Sequence, residues 1–134
     1  MRIVAVADTH TVLWHLYDDA RLSLQAGDLI DGAALNREEI AVSSISLVEV
    51  AYLVEKGRVP RTAFEDLSSA LMDPEQVFVE APLSMRICDS LRKVSRDEVP
   101  DMPDRIIAAT GLYYNVPILS RDRRIQTAKL QTIW

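Results

Sequence analysis

The sequence predicts an α/β fold, a parallel sheet with helices on both faces. Three observations carry this expectation. Short apolar runs of strand length alternate with stretches of helical periodicity from one end of the chain to the other. The first run, Ile3-Val4-Ala5-Val6-Ala7, has no polar alternation, which suits a central strand buried on both faces. No repeat, low-complexity tract or long Pro/Gly/Ser linker interrupts the alternation.

Each element follows from its own spacing. The first strand, 3–7, ends at Asp8. A helix over 10–17 would carry Leu13, Leu16 and Tyr17 on one side, and a second helical stretch is expected over 22–35. Residues 40–43, Ile-Ala-Val-Ser, read as the second strand. Leu47, Val50, Ala51 and Val54 recur at helical spacing, which predicts a helix over 46–57 with Gly57 as its stop. Phe64, Leu67 and Leu71 repeat the pattern over 61–72, and 76–80 is the third strand. Ile87, Leu91 and Val94 predict a helix over 84–94, followed by a loop marked by Pro100 and Pro103. In the next helix, 104–115, Ala108 and Gly111 share a face with Asp104, so close packing is expected there. Residues 116–119 form the fourth strand and lead into Ser120-Arg121-Asp122; 130–134 offers a fifth.

The 134 residues suit one domain, 1–134, and at 49% apolar they are enough for a core. No run approaches the roughly 18–20 apolar residues of a membrane span, and the first residues lack the pattern of a secretory signal. Cys88 is the only cysteine, so neither an internal disulfide nor a cysteine-rich zinc site can form. Together these predict a cytoplasmic protein. The net charge of −5 argues weakly against a non-specific nucleic-acid binder. Clustered carboxylates that hold a cation would weaken that argument, because the bound ion reverses the local field.

Ligands of parallel sheets bind beyond the carboxyl ends of the strands, so acids just past a strand stand out. Asp8 and Asp122 follow separate strands, and Glu49 and Asp104 open separate helices. Each has an ordinary structural reading. Asp8 or Thr9 can cap the first helix, and Ser46-x-x-Glu49 has the form of a capping box. Asp104 gains from the dipole of its helix, with Asp101 as the loop or cap residue. Asp122 suits an Asx turn. As a set, the four can share one edge of the sheet, where hard oxygen ligands suit Mg²⁺ or Mn²⁺ and phosphodiester cleavage.

These residues resemble a family. Asp8-Thr9-His10, Ser46-x-x-Glu49, Asp101-x-x-Asp104-Arg105-Ile106-Ile107-Ala108-Ala109 and Ser120-Arg121-Asp122 are similar, in order and spacing, to the motifs of PIN-domain nucleases. A free-standing chain of this size most resembles the VapC-type toxins of toxin–antitoxin pairs. The resemblance implies a three-layer α/β/α domain with five parallel strands in the order 3-2-1-4-5. It implies a Mg²⁺- or Mn²⁺-dependent endoribonuclease, a homodimer and a small VapB-type antitoxin that blocks the site. It makes Asp8, Glu49, Asp104 and Asp122 the metal-site acids. Such toxins commonly carry Asp-Pro-x-Asp where this chain has Asp101-Met102-Pro103-Asp104, which puts the roles of Asp101 and Arg105 in doubt.

Further candidates surround the acids. Arg121, Arg123 and Arg124, with Lys129 nearby, form either a phosphate-binding patch or a solvated turn. Arg105 is a candidate for substrate or for Asp101, and Ser120 for a neighbouring carboxylate or a metal-bound water. His10 is a less favoured general base. Trp14, His15 and Cys88 read as packing residues. Leu47, Val48, Val50, Tyr52, Leu53, Val54 and Phe64 exceed one buried stripe, so this surface either meets a partner or is buried on two sides. Two other functions compete. A phosphatase with a nucleophilic Asp8 would need a second Asp where His10 stands and a later lysine; a receiver-like module would need an acidic pair and a lysine that are not in place.

Overall fold

A computed structural model describes residues 2–127 and 130–134; Lys129 lies outside the described residues. The strands are β1 (Ile3–Ala7), β2 (Glu39–Ser43), β3 (Phe78–Ala81), β4 (Ile118–Leu119) and β5 (Thr132–Ile133). The helices are α1 (Thr9–Leu16), α2 (Leu24–Leu35), α3 (Ser44–Glu55), α4 (Ala63–Met72), α5 (Met85–Leu91), α6 (Met102–Tyr114) and α7 (Arg123–Thr127). The strands form one sheet in the order β3-β2-β1-β4-β5, every neighbouring pair parallel, as expected.

The period of two along each strand sorts side chains to opposite faces and creates the three layers. Ala5, Ala7, Ile40, Val42, Phe78 and Leu119 join a core with α1, α2, α3 and α4, through residues such as Val12, Ile30, Val50 and Leu67. Val6, Ala41, Ala81 and Ile118 join the opposite core with α5, α6 and α7, through Ile87, Ile107 and Ile125. Ala5, Val6 and Ala7 are all inaccessible to solvent, which is why the first strand shows no polar alternation.

Two termini carry clear local causes. At the end of α3, Gly57 takes a φ of 67°, and the Arg58 N–H reaches back to the Leu53 carbonyl at 2.9 Å. This is a left-handed helix stop that glycine adopts without strain. In α6, a Cβ built on Gly111 would lie 2.8 Å from Ile118 Cγ1, so only glycine permits this approach of α6 to β4. α7 was not anticipated: it is five residues long, with Ile125 as its buried anchor. Cys88 is exposed, not core, because it sits one step off the stripe that buries Ile87.

Candidate metal-binding cleft

The strand order reverses between β1 and β4, and a cleft of about 600 Å³ lies beyond their carboxyl ends. Asp8, Glu49, Asp101, Asp104 and Asp122 all line it, together with Thr9, His10, Trp14, Arg21, Arg121 and Arg124. The four acids singled out in the sequence therefore meet in one place, with Asp101 as a fifth.

Asp8 leaves β1 in extended conformation and caps α1. Its Oδ1 accepts the Thr11 N–H at 2.9 Å and the Thr11 hydroxyl at 2.6 Å. The same hydroxyl lies 2.9 Å from the Leu119 carbonyl, and with one proton it serves one acceptor at a time. The Asp8 N–H also donates to Leu119 at 3.1 Å, which ties the acid to β4. The cap reading and the cleft position hold together at this residue.

Glu49 enters from α3 by a different route from the one expected. The cap of α3 is Ser43, whose Oγ accepts the Ile45 N–H at 3.2 Å, and the helix starts at Ser44. Ser46 and Glu49 thus lie inside the helix and do not form a capping box. They join a hydroxyl relay instead: Thr9 Oγ1 donates to Glu49 Oε1 at 2.6 Å and lies 2.8 Å from the buried Ser46 Oγ. Burial raises the Glu49 carboxyl above its usual range and the Thr9 bond pulls it back; Asp101 and Asp8 push it up, and His10 lowers it.

Asp101 caps α6 through Oδ2, which accepts the Asp104 N–H at 3.1 Å, and Pro103 occupies the first turn. The helix therefore opens at Met102, two residues before the expected start. Asp104 is pushed up to about 8, first by burial, then by the charges of Asp101 and Asp122, a hydrogen bond shared with Asp122, and Glu49. Two carboxyls within hydrogen-bonding reach repel unless a proton or a cation lies between them. Asp122 is placed by a turn: its N–H donates to Ser120 Oγ at 2.9 Å, and its Oδ1 accepts the Arg124 N–H at 2.8 Å.

The secondary candidates divide. Arg121 and Arg124 line the cleft, whereas Arg123 is exposed and outside its lining. Ser120 is fully buried and braces the Asp122 turn, accepting Gln126 Nε2 on its carbonyl at 3.0 Å, so it has no face for a substrate. Arg105 does not face the cleft or Asp101. Its Nε and Nη2 donate to the carbonyls of Val94 and Leu91 at 3.0 and 3.1 Å, closing the carboxyl end of α5 against α6. Trp14 and Arg21 were not anticipated as site residues; nothing local in the sequence marks them.

The donor set suits a hard divalent cation: carboxylate oxygens crowded together, whose mutual repulsion holds Asp104 up and which a cation would relieve. Among the described residues no group of three or more acidic, histidine or cysteine side chains is already arranged as a metal cage, so binding would draw the acids inward.

Comparison with known proteins matches this architecture. The PIN domain family profile matches residues 5–130. The ribonuclease VapC22 of Mycobacterium tuberculosis (strain ATCC 25618 / H37Rv) is 27% identical over 134 residues, covering 95% of both chains. Among solved structures, VapBC2 from Rickettsia felis bound to a promoter DNA fragment superposes with a TM-score of 0.71 at 17% identity, covering 98% of both chains. FitAcB from Neisseria gonorrhoeae gives 0.62 at 15% identity, covering 98% of this chain and 97% of that one. At these identities the two structures bear on the fold.

Proposed function

The chain belongs to the PIN-domain family, and we propose that it is a divalent-metal-dependent endoribonuclease, the toxin of a VapBC-type pair. The observation that carries this is the convergence of Asp8, Glu49, Asp101, Asp104 and Asp122 on one cleft, with Asp104 held well above the carboxylate range. The similarity to a ribonuclease named VapC22 along 95% of both chains supports the choice of RNA.

Asp8, Glu49, Asp104 and Asp122 would hold Mg²⁺ or Mn²⁺. When bound, the cation polarises a phosphodiester and neutralises charge that builds on it. The chain's own residues prepare the site. Thr11 fixes the Asp8 carboxylate and Thr9 that of Glu49, so two ligands are oriented by hydroxyls before any ion arrives. Asp104 would have to release its proton to hold a cation, because burial and the neighbouring carboxyls keep it above the usual carboxylate range. Arg121 and Arg124 at the rim would offset the acidity of the floor and hold the RNA backbone.

A groove with exposed apolar lining borders the same cleft. Val48, Tyr52 and Met102 are 50%, 60% and 63% exposed and line a groove of about 410 Å³ that shares Glu49 and Asp101 with it. A VapB-type antitoxin seated there would reach the acids, and a homodimer belongs to the same reading. Among the described residues no helix is long and apolar enough to cross a membrane; we place the protein in the cytoplasm. The test is cleavage of RNA with Mg²⁺, Mn²⁺ or EDTA by the parent, Asp8→Ala and Asp104→Ala. Cleavage by the parent in either metal, lost with EDTA and in both variants, is expected. Cleavage that persists under chelation or in both variants would overturn the reading.

A further inference from the structure

Trp14 and Trp134 are the chain's two tryptophans, and both lie outside the two core clusters. They pack edge to face beside the cleft, ring centroids 5.7 Å apart. The His10 ring sits 5.7 Å from Trp14. Two guanidiniums lie over the Trp14 indole: Arg21 at 5.1 Å and Arg121 at 5.6 Å from the ring centre. Contacts at this range are cation–π pairs. His10, Trp14, Arg21 and Arg121 all line the cleft that holds the acids.

The two arginines are in different states. The Arg21 fork is spent on Asp19, with Nε–Oδ1 3.0 Å and Nη2–Oδ2 2.8 Å, so Arg21 is a fixed part of the wall. Arg121 has no ion pair among the described residues and is exposed. Its guanidinium and the exposed His10 ring, tilted at 47° to the indole, both lie against Trp14. A single-stranded nucleic acid asks for this combination: positive charge for the backbone and planar groups on which bases stack.

We propose that Trp14 backs a base-stacking subsite, with His10 and Arg121 as its contact surfaces, for the RNA nucleotide beside the phosphodiester held over the carboxylates. The proposal rests on the ribonuclease reading. Trp14 is a positioning residue in it, because its ring supports the two groups that meet the base. The wall selects unpaired RNA, since a base inside a duplex cannot offer its face.

The test uses the full chain and a short, non-cleavable 2′-O-methyl oligoribonucleotide in Mg²⁺. In a Trp134→Phe background the remaining tryptophan, Trp14, should show a saturable fluorescence change. By anisotropy of a labelled oligonucleotide, Trp14→Leu should bind about tenfold more weakly, and Trp14→Phe should recover most of that loss. Arg121→Gln, an exposed change that keeps the fold, should weaken binding and reduce its salt dependence. In cleavage of an unmodified RNA, Trp14→Leu should raise KM more than it lowers kcat. A Trp14→Leu protein with parental circular dichroism, affinity and KM would overturn the subsite while leaving the nuclease reading intact. Trp14-dependent binding by a protein that cleaves no RNA would do the reverse.

Discussion

The cleft has two sides that handle negative charge in different ways. On one side, Asp8 and Glu49 each accept a short hydroxyl hydrogen bond, from Thr11 and Thr9, both at 2.6 Å. On the other, Asp101 and Asp122 accept one backbone N–H each, and Asp104 is pushed up to about 8 by burial and by the charges of Asp101 and Asp122. The first side, from β1 and α3, carries its own compensation. The second, from α6 and the turn after β4, leaves its charge to be met from outside by a proton or a cation. The difference separates orientation from demand: hydroxyls fix carboxylates in place, while crowded acids create a demand for a proton or a positive charge.

Substitutions on the two sides should agree in catalysis and disagree in stability. Asp8→Ala and Asp104→Ala should each lower RNA cleavage by about 10³-fold, several kcal/mol of lost charge stabilisation. In EDTA, however, Asp8→Ala should lose about 1 kcal/mol of stability with its helix cap, while Asp104→Ala should gain stability by removing repulsion. Urea unfolding distinguishes them, and losses of equal size in both would break the contrast.

Gly111→Ala perturbs the second side indirectly. It should cost about 1–3 kcal/mol by wedging α6, which carries Asp104, away from Ile118, read as a lower thermal midpoint.

The pH dependence follows from Asp104. Its folded value, about 8, lies above the ordinary 3.8, so between these values the native state keeps a proton that the unfolded chain has released. Stability of the metal-free protein should therefore fall as pH rises from about 4 to 8. After discounting for solvent screening of a half-exposed group, the loss is about 1–2 kcal/mol. Glu49 is shifted in the same direction. Saturating Mg²⁺ should flatten the slope, as should Asp104→Asn; a metal-free protein equally stable at both ends of the window would count against the crowded side.

The smallest effect belongs to the compensated side. Thr9→Val removes the donor to Glu49 and should cost about 1 kcal/mol. Cleavage should fall far less than in Asp104→Ala, measured on the same RNA.

The sheet and the acids were legible because their signals are local. Unbroken apolar runs mark strands buried on both faces, and Asp8 and Asp122 stand just past two of them. The strand order came from the family resemblance. Other features depend on partners distant in sequence. In Ser43-Ser44-Ile45-Ser46, any of three hydroxyls can cap a helix, and the choice of Ser43 is set by where β2 ends against β3. Arg105 follows Asp104 in the motif, yet it turns to the carbonyls that end α5. The Trp14 wall joins α1 to Arg121 and Trp134 at the far end of the chain, and no spacing rule announces such a meeting.

The central position of β1 has a consequence for assembly. Asp8 and Asp122 lie far apart in sequence, and the cleft is incomplete until β4 pairs with β1 and brings Asp122 to the cleft that Asp8 lines. A chain with β4 unpaired therefore carries half a cleft. The acids meet in one step, when the sheet closes.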